Sequence, residues 1–243
     1  MNVMLIAGFW LDGSSWSRQV AALEAAGHTV FTPTLPGFTP GESSDVGLSD
    51  QIDAIIDLID HQEGPVALVG HSGGAFVAWG AADARPDRIA RVIFVDAVPP
   101  SNGMAINPDL PVENGTVPFP RDHGAFFDDS EFQGFSAGEL AEFIAAAIPV
   151  PARVASDPIR LTNERRWEVP VTVLATSFPC DQITQLMESG HPMTAELMAI
   201  RQLEIIDLPT GHWPQLTEPE ETSSALAEAL EETGSIEAAS FDF

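Results

Sequence analysis

The sequence contains no lysine, no tyrosine and one cysteine, and only 10 basic side chains stand against 36 acidic ones. Each shortage removes a class of function. Without lysine there is no Schiff-base chemistry on a carbonyl, no tethered pyridoxal phosphate and no P-loop lysine. The lone Cys180 excludes an internal disulfide and a cysteine-rich zinc site. All ten cations are arginines, and a formal charge of −26 repels nucleic acid and anionic membrane, which are held by basic side chains against phosphate. No apolar run approaches the roughly 20 residues of a membrane-spanning helix. The first residues, Met1 to Ile6, carry neither the basic region nor the cleavage site of a secretory leader. The expectation is a cytoplasmic protein with a solvating acidic surface, of the kind a saline habitat also selects, and with no nucleic-acid or membrane partner.

What is present suits one large α/β domain or one domain with an insertion: 243 residues, 44% of them hydrophobic. Short apolar runs read as buried strands at Val3–Ala7, His28–Pro33, Val66–Val69, Val92–Val95, Val171–Leu174 and Leu203–Ile206. Helical patterns lie between them at Trp16–Ala26, 48–62 and Gly73–Ala84, and a last helix starts near Pro219, with Glu220 and Glu221 in its first turn. Repeated strand–helix–strand units predict a six-stranded, mostly parallel sheet flanked by helices. Residues 100–166 break the rhythm with Pro, Gly and Asn clusters around one helix, 137–147. They are expected to form a small cap inserted into a core made of 1–99 and 167–243. The tail Ser235–Phe243 is expected to fray, with Phe241 and Phe243 able to dock.

Gly70-His71-Ser72-Gly73-Gly74 fits G-x-S-x-G at a strand-to-helix junction, the context of a nucleophile elbow. Such a turn strains the serine, points its Oγ outward and needs glycines where backbone passes close. Serine also needs a base within hydrogen-bond reach. Of the six histidines, His28 and His61 read as surface residues at element ends, His71 as buried structure within the elbow, and His123, beside Asp122, as surface. His212, in Thr210-Gly211-His212-Trp213-Pro214 after the sixth strand, falls at the same carboxyl edge of the sheet as Ser72 and is the predicted base.

With Ala7-Gly8-Phe9-Trp10 after the first strand, the Gly70–Gly74 elbow and Gly211-His212-Trp213-Pro214 near the end, the chain resembles the α/β-hydrolase superfamily over nearly its whole length. It is most similar to the small capped branch of esterases and hydroxynitrile lyases. The resemblance implies an oxyanion hole from the N–H groups of Phe9 and Gly73, although Ala7 stands where the family usually has histidine. It also implies an acid to orient His212. Most of the superfamily carries it after the strand Val171–Ala175, where Asp181 lies slightly late; a minority carries it one strand earlier, at Asp96. Asp96 is preferred because it leaves its strand without a gap, and Asp181 stays as the alternative.

The expected activity is hydrolysis of a small, neutral, partly apolar carboxylic ester or lactone by a Ser-His-Asp triad, with no cofactor. The alternatives are hydroxynitrile or carbon–carbon bond cleavage on the same triad, where the missing lysine counts only against the branch of hydroxynitrile lyases that uses one and leaves lysine-independent relatives open, and a non-catalytic ligand-binding role. Trp10 and Trp213 are candidate pocket walls. The cap phenylalanines Phe119, Phe126, Phe127, Phe132, Phe135 and Phe143 could line an acyl pocket, but gluing cap to core is the simpler role. Asp128, Asp129 and Glu131 lack the glycine-centred spacing of a calcium loop, so no metal site is expected.

Overall fold

The computed structural model of the chain describes residues 1–39, 42 and 44–231. The tail Ser235–Phe243, with the two phenylalanines proposed to dock, lies outside the described residues. The first half runs β1 (Asn2–Ile6), α1 (Ser17–Ala25), β2 (Thr29–Phe31), α2 (Leu48–Asp60), β3 (Val66–His71), α3 (Gly74–Ala84) and β4 (Ile89–Val95). After it come β5 (Thr116–Val117), α4 (Ala137–Ala146), β6 (Val150–Pro151) and α5 (Ala152–Ser156). The chain then returns through β7 (Val171–Ala175), α6 (Cys180–Glu188), α7 (Ala195–Ala199), β8 (Leu203–Asp207), α8 (Pro214–Thr217) and α9 (Pro219–Glu231). Among the described residues no helix is long and apolar enough to cross a membrane.

Six strands form one parallel sheet in the order β2-β1-β3-β4-β7-β8. The inner strands read as largely apolar runs because both of their faces are covered, with Arg91 of β4 and Thr172 of β7 as buried polar exceptions. Along β1, Met4 and Ile6 join a core with Ile55 and Ile59 of α2 and Trp79 of α3. The alternate residues Val3 and Leu5 join a second core with Leu23 of α1 and Leu226 and Leu230 of α9. Edge strand β2 is shorter than its apolar run. The chain leaving β1 crosses it at Gly13, where an added Cβ would lie 2.0 Å from the Thr32 carbonyl oxygen. A 3₁₀ turn, Gly13–Trp16, precedes α1, with the Asp12 carboxylate accepting the Ser14 N–H at 2.9 Å. His28 is half-buried rather than on the surface.

From β1 the chain moves outward to β2 and then returns to β3 on the other side. The loops leaving β1 and β3 therefore diverge at their carboxyl ends, the place where open parallel sheets bind ligands. Residues 100–166 enter from β4 and lie near this edge. The antiparallel pair β5–β6 sits over the first loop: the Trp10 indole N–H donates to the Val117 carbonyl at 3.2 Å, and the Ile148 N–H donates to the Trp10 carbonyl at 3.0 Å. The far end of the segment is tied down by Arg166. Its buried guanidinium bonds Asp83 on α3 at 3.1 Å and Glu196 on α7 at 2.9 and 3.1 Å. The Trp79 and Trp167 indoles also donate to Glu196, and the Thr162 and Asn163 N–H groups to Asp83.

Candidate active site

The turn after β3 is shaped by close backbone contacts. A Cβ on Gly70 would lie 2.8 Å from the Gly74 carbonyl oxygen, and one on Gly74 2.6 Å from that of Ala7, so neither position admits a larger residue without movement. Ser72 between them has φ 49°, the left-handed region that costs a non-glycine residue about 1–3 kcal/mol. Its N–H donates to the Val95 carbonyl at 3.1 Å, and its own carbonyl accepts the Ala75 N–H, opening α3.

The loop after β8 brings His212 to this serine, with Nε2 2.9 Å from Ser72 Oγ. On the other edge of the ring, Nδ1 lies 2.5 Å from Asp96 Oδ2. Asp96 follows β4 directly, has φ 46° and buries its carboxylate. The same Oδ2 accepts the Ser177 hydroxyl at 2.5 Å, and Oδ1 accepts the Phe178 N–H at 3.1 Å. Burial alone would raise this carboxyl, but the hydrogen bonds from His212 and Ser177 and the attraction to the ring in its cationic form outweigh it, holding Asp96 well below the ordinary carboxylate range. An ionised Asp96 fixes the proton on Nδ1. The Nε2 lone pair then faces Ser72, whose hydroxyl donates to it. Asp181 is elsewhere: it is exposed in the first turn of α6 and accepts the Gln182 N–H at 2.8 Å.

Phe9 and Gly73 are neighbours, since a Cβ on Gly73 would lie 2.8 Å from the Phe9 ring. Among the described residues neither backbone N–H is used in a hydrogen bond. Trp10 and Trp213 are both buried. Trp213 is surrounded by Phe127, Phe132, Phe135 and Phe143 of the 100–166 segment, with ring centroids 4.9–6.0 Å away, which ties that segment to the His212 loop. Phe119 packs between Trp10 and Phe143, and Phe126 is exposed. Beside this cluster is a cavity of about 510 Å³ lined by Trp10, Arg18, Phe135, Phe143, Gln215 and Leu216; Ser72 does not line it. Thus Trp10 borders a cavity and Trp213 acts as packing.

Three further contributors escape any reading of local pattern. Ser177 has no motif around it. Gln215 donates its amide to His71 Nδ1 at 3.2 Å, while His71 Nε2–H donates to the His212 carbonyl at 2.7 Å. That ring is fully buried, and burial first, then the His212 charge, pushes its pKa down to about 3. It therefore stays neutral and supports the histidine loop from below. Glu131 of the 100–166 segment accepts the His212 N–H on its carbonyl at 2.7 Å. His123 is half-buried rather than on the surface, its ring tilted against Phe119 and edge-on to Phe132. Among the described residues no cluster of three or more His, Cys, Asp and Glu could hold a metal ion.

A family model described as alpha/beta hydrolase family matches residues 3–225. The chain belongs to that family. The hydrolase is 27% identical over 248 residues to a carbendazim hydrolyzing esterase of a Nocardioides species, an alignment covering 93% of this chain and 98% of the relative. It is 26% identical over 251 residues to a pyrethroid hydrolase of Sphingobium wenxiniae, covering 93% and 86%. Among solved structures, an extracellular alpha/beta-hydrolase from a Paenibacillus species superposes with a TM-score of 0.75 at 22% identity, covering 94% of this chain and 98% of that one. That likeness concerns the fold.

Proposed function

We propose that this hydrolase cleaves a small, neutral carboxylic ester or lactone through Ser72, His212 and Asp96. Ester hydrolysis in general is supported by family membership and by the named activities of the two full-length relatives. The observation that carries the finer reading is the continuous relay from Ser72 Oγ to His212 Nε2 at 2.9 Å and from Nδ1 to Asp96 at 2.5 Å, with the serine strained at the start of a helix.

Ser72 Oγ attacks the ester carbonyl as His212 Nε2 takes its proton, and the ring cation forms against the Asp96 carboxylate. The carbonyl oxygen becomes an oxyanion that the N–H groups of Phe9 and Gly73 receive; one such donor is worth about 10²–10³ in rate. Collapse of the intermediate passes the proton from His212 to the leaving alcohol and leaves an acyl group on Ser72. Water, deprotonated by the same Nε2, then releases the acid. A formal charge of −26 disfavours anionic substrates, so a neutral ester fits the field. The single cysteine is in keeping with a reducing, cytoplasmic compartment.

The test is hydrolysis of a short-chain p-nitrophenyl ester by the parent and by Ser72→Ala. Activity in the parent that falls by about 10³ or more in the variant supports the serine mechanism. Equal activity in both would overturn it.

A further inference from the structure

The cap brings a second carboxylate to His212. The 3₁₀ turn Asp129–Phe132 lies across the histidine loop. The Glu131 carbonyl accepts the His212 N–H, and Gly211 has no space for a Cβ, which would lie 2.6 Å from that carbonyl oxygen and 2.5 Å from that of Gln133. These contacts fix the Glu131 backbone relative to the ring. The side chain then turns inward: Oε1 accepts the Asp128 N–H at 3.0 Å, and Oε2 lies 3.9 Å from His212 Nδ1, the edge that Asp96 also occupies.

Two carboxylates on one edge of a ring repel each other, and a half-buried one loses hydration as well. Burial raises the Glu131 carboxyl, and Asp96 and Asp128 add to the rise; the Asp128 N–H and the charge of His212 oppose it. The arrangement is best satisfied when the ring between the carboxylates is a cation, the state that proton transfer from Ser72 creates. The other titratable group facing His212 is His71, whose ring centroid is 5.0 Å away and which burial holds neutral.

Resting on the Ser72–His212–Asp96 reading, we propose that Glu131 is a second positioning residue for His212, a cap-borne carboxylate that stabilises the imidazolium alongside Asp96 and partly replaces it when the Asp96 charge is removed. At 3.9 Å Glu131 makes no hydrogen bond to Nδ1, so it acts through its field. A unit charge at that distance moves a protonation midpoint by about half a pH unit to one unit under the screening of bulk water, and the half-buried setting makes that the least shift expected.

The test is Glu131→Gln, which keeps an oxygen for the Asp128 N–H, made in the parent and in Asp96→Asn. In the parent it should cost less than about threefold in kcat/KM at neutral pH and move the acid limb down by about half a unit or more, because the neutral ring then persists to lower pH. In Asp96→Asn it should cost a further tenfold or more. Its melting temperature should hold or rise, since a half-buried charge is gone; a mere structural brace would lower it and leave the acid limb in place. An unmoved acid limb together with equal losses in both backgrounds would overturn the proposal. ¹⁵N titration of the His212 ring reads the same move without turnover. An inactive parent, or an active Ser72→Ala, would therefore strike the hydrolase reading while the titration still decides the role of Glu131.

Discussion

Replacing His71 with glutamine should flatten the acid side of the stability curve. The ring is fully buried, donating from Nε2 to the His212 carbonyl and accepting at Nδ1 from Gln215, a pattern only the neutral form can satisfy. In the unfolded chain it takes a proton near its ordinary value of 6.5, but in the folded chain it resists until about pH 3. Between those values the unfolded state holds one more proton, so stability falls as pH falls, by about 1.4 kcal/mol per pH unit. From pH 6.5 to 4.5 the loss approaches roughly 2.5 kcal/mol, a drop of roughly 5–10 °C in Tm for a chain of this size. Asp96 adds a loss of the same sign only below its ordinary range near pH 4, but His28, whose pKa burial also lowers, adds one in the upper window, so it is the difference between parent and variant that isolates His71. Glutamine at 71 can offer an N–H to the His212 carbonyl and an oxygen to Gln215 without titrating. Guanidinium melts at pH 6.5, 5.5 and 4.5 should therefore show a slope in the parent that is shallower in His71→Gln by about one proton. Equal slopes in the two proteins would refute the account of a neutral buried brace.

Two further changes bear on the proposed acid and on the anchor of the 100–166 segment. Asp96→Asn should lower kcat/KM on a p-nitrophenyl ester by about 10²–10³, short of the ~10⁴ seen where no second carboxylate is at hand, while exposed Asp181→Asn should stay within about twofold. Comparable losses in both would sink the assignment of the acid. Arg166→Met leaves Asp83 and Glu196 buried without their shared cation, which should cost about 3–5 kcal/mol in chemical denaturation; a change below about 1 kcal/mol would mean that the indole and backbone donors alone satisfy them.

The sheet was legible because its inner strands are covered on both faces and must be apolar, and six such runs stand in the sequence at the positions of the six strands. Their ends were less so. β3 continues through Gly70 and His71, and β4 starts at Ile89 rather than Val92, because pairing does not require the hydrophobicity by which strands were located. Ser72 and His212 were legible as candidates because each lies in a local pattern. The preference for Asp96 over Asp181 rests on weaker grounds: the two differ little as side chains, and what separates them in space is register. Val95 pairs with Leu174, so the residue after β4 arrives beside Ser177 and Phe178, which leave β7. His71 and Gln215 are 144 residues apart, and Glu131 and His212 are 81 positions apart in the same sense, so no spacing rule links either pair.

Backbone strain joins the fold to the site. Of the four non-glycine residues with positive φ among the described residues, Trp10, Ser72 and Asp96 follow the neighbouring strands β1, β3 and β4. Each would cost about 1–3 kcal/mol in isolation. For two of them the sheet supplies the restraint, by extending its ladder one residue past the strand: Ser72 N–H bonds the Val95 carbonyl, and Asp96 N–H bonds that of Leu174. Trp10, beyond the end of β1, is held by hydrogen bonds to Val117 and Ile148 of the 100–166 segment. The strain is thus carried by pairing that the core already requires, and its effect is to turn the hydroxyl and carboxylate toward one imidazole. A change that loosened those ladder bonds would relax the turns and move Ser72 Oγ or Asp96 Oδ2 away from His212. The geometry of the relay therefore depends on β3, β4 and β7 keeping their register as much as on the three side chains themselves.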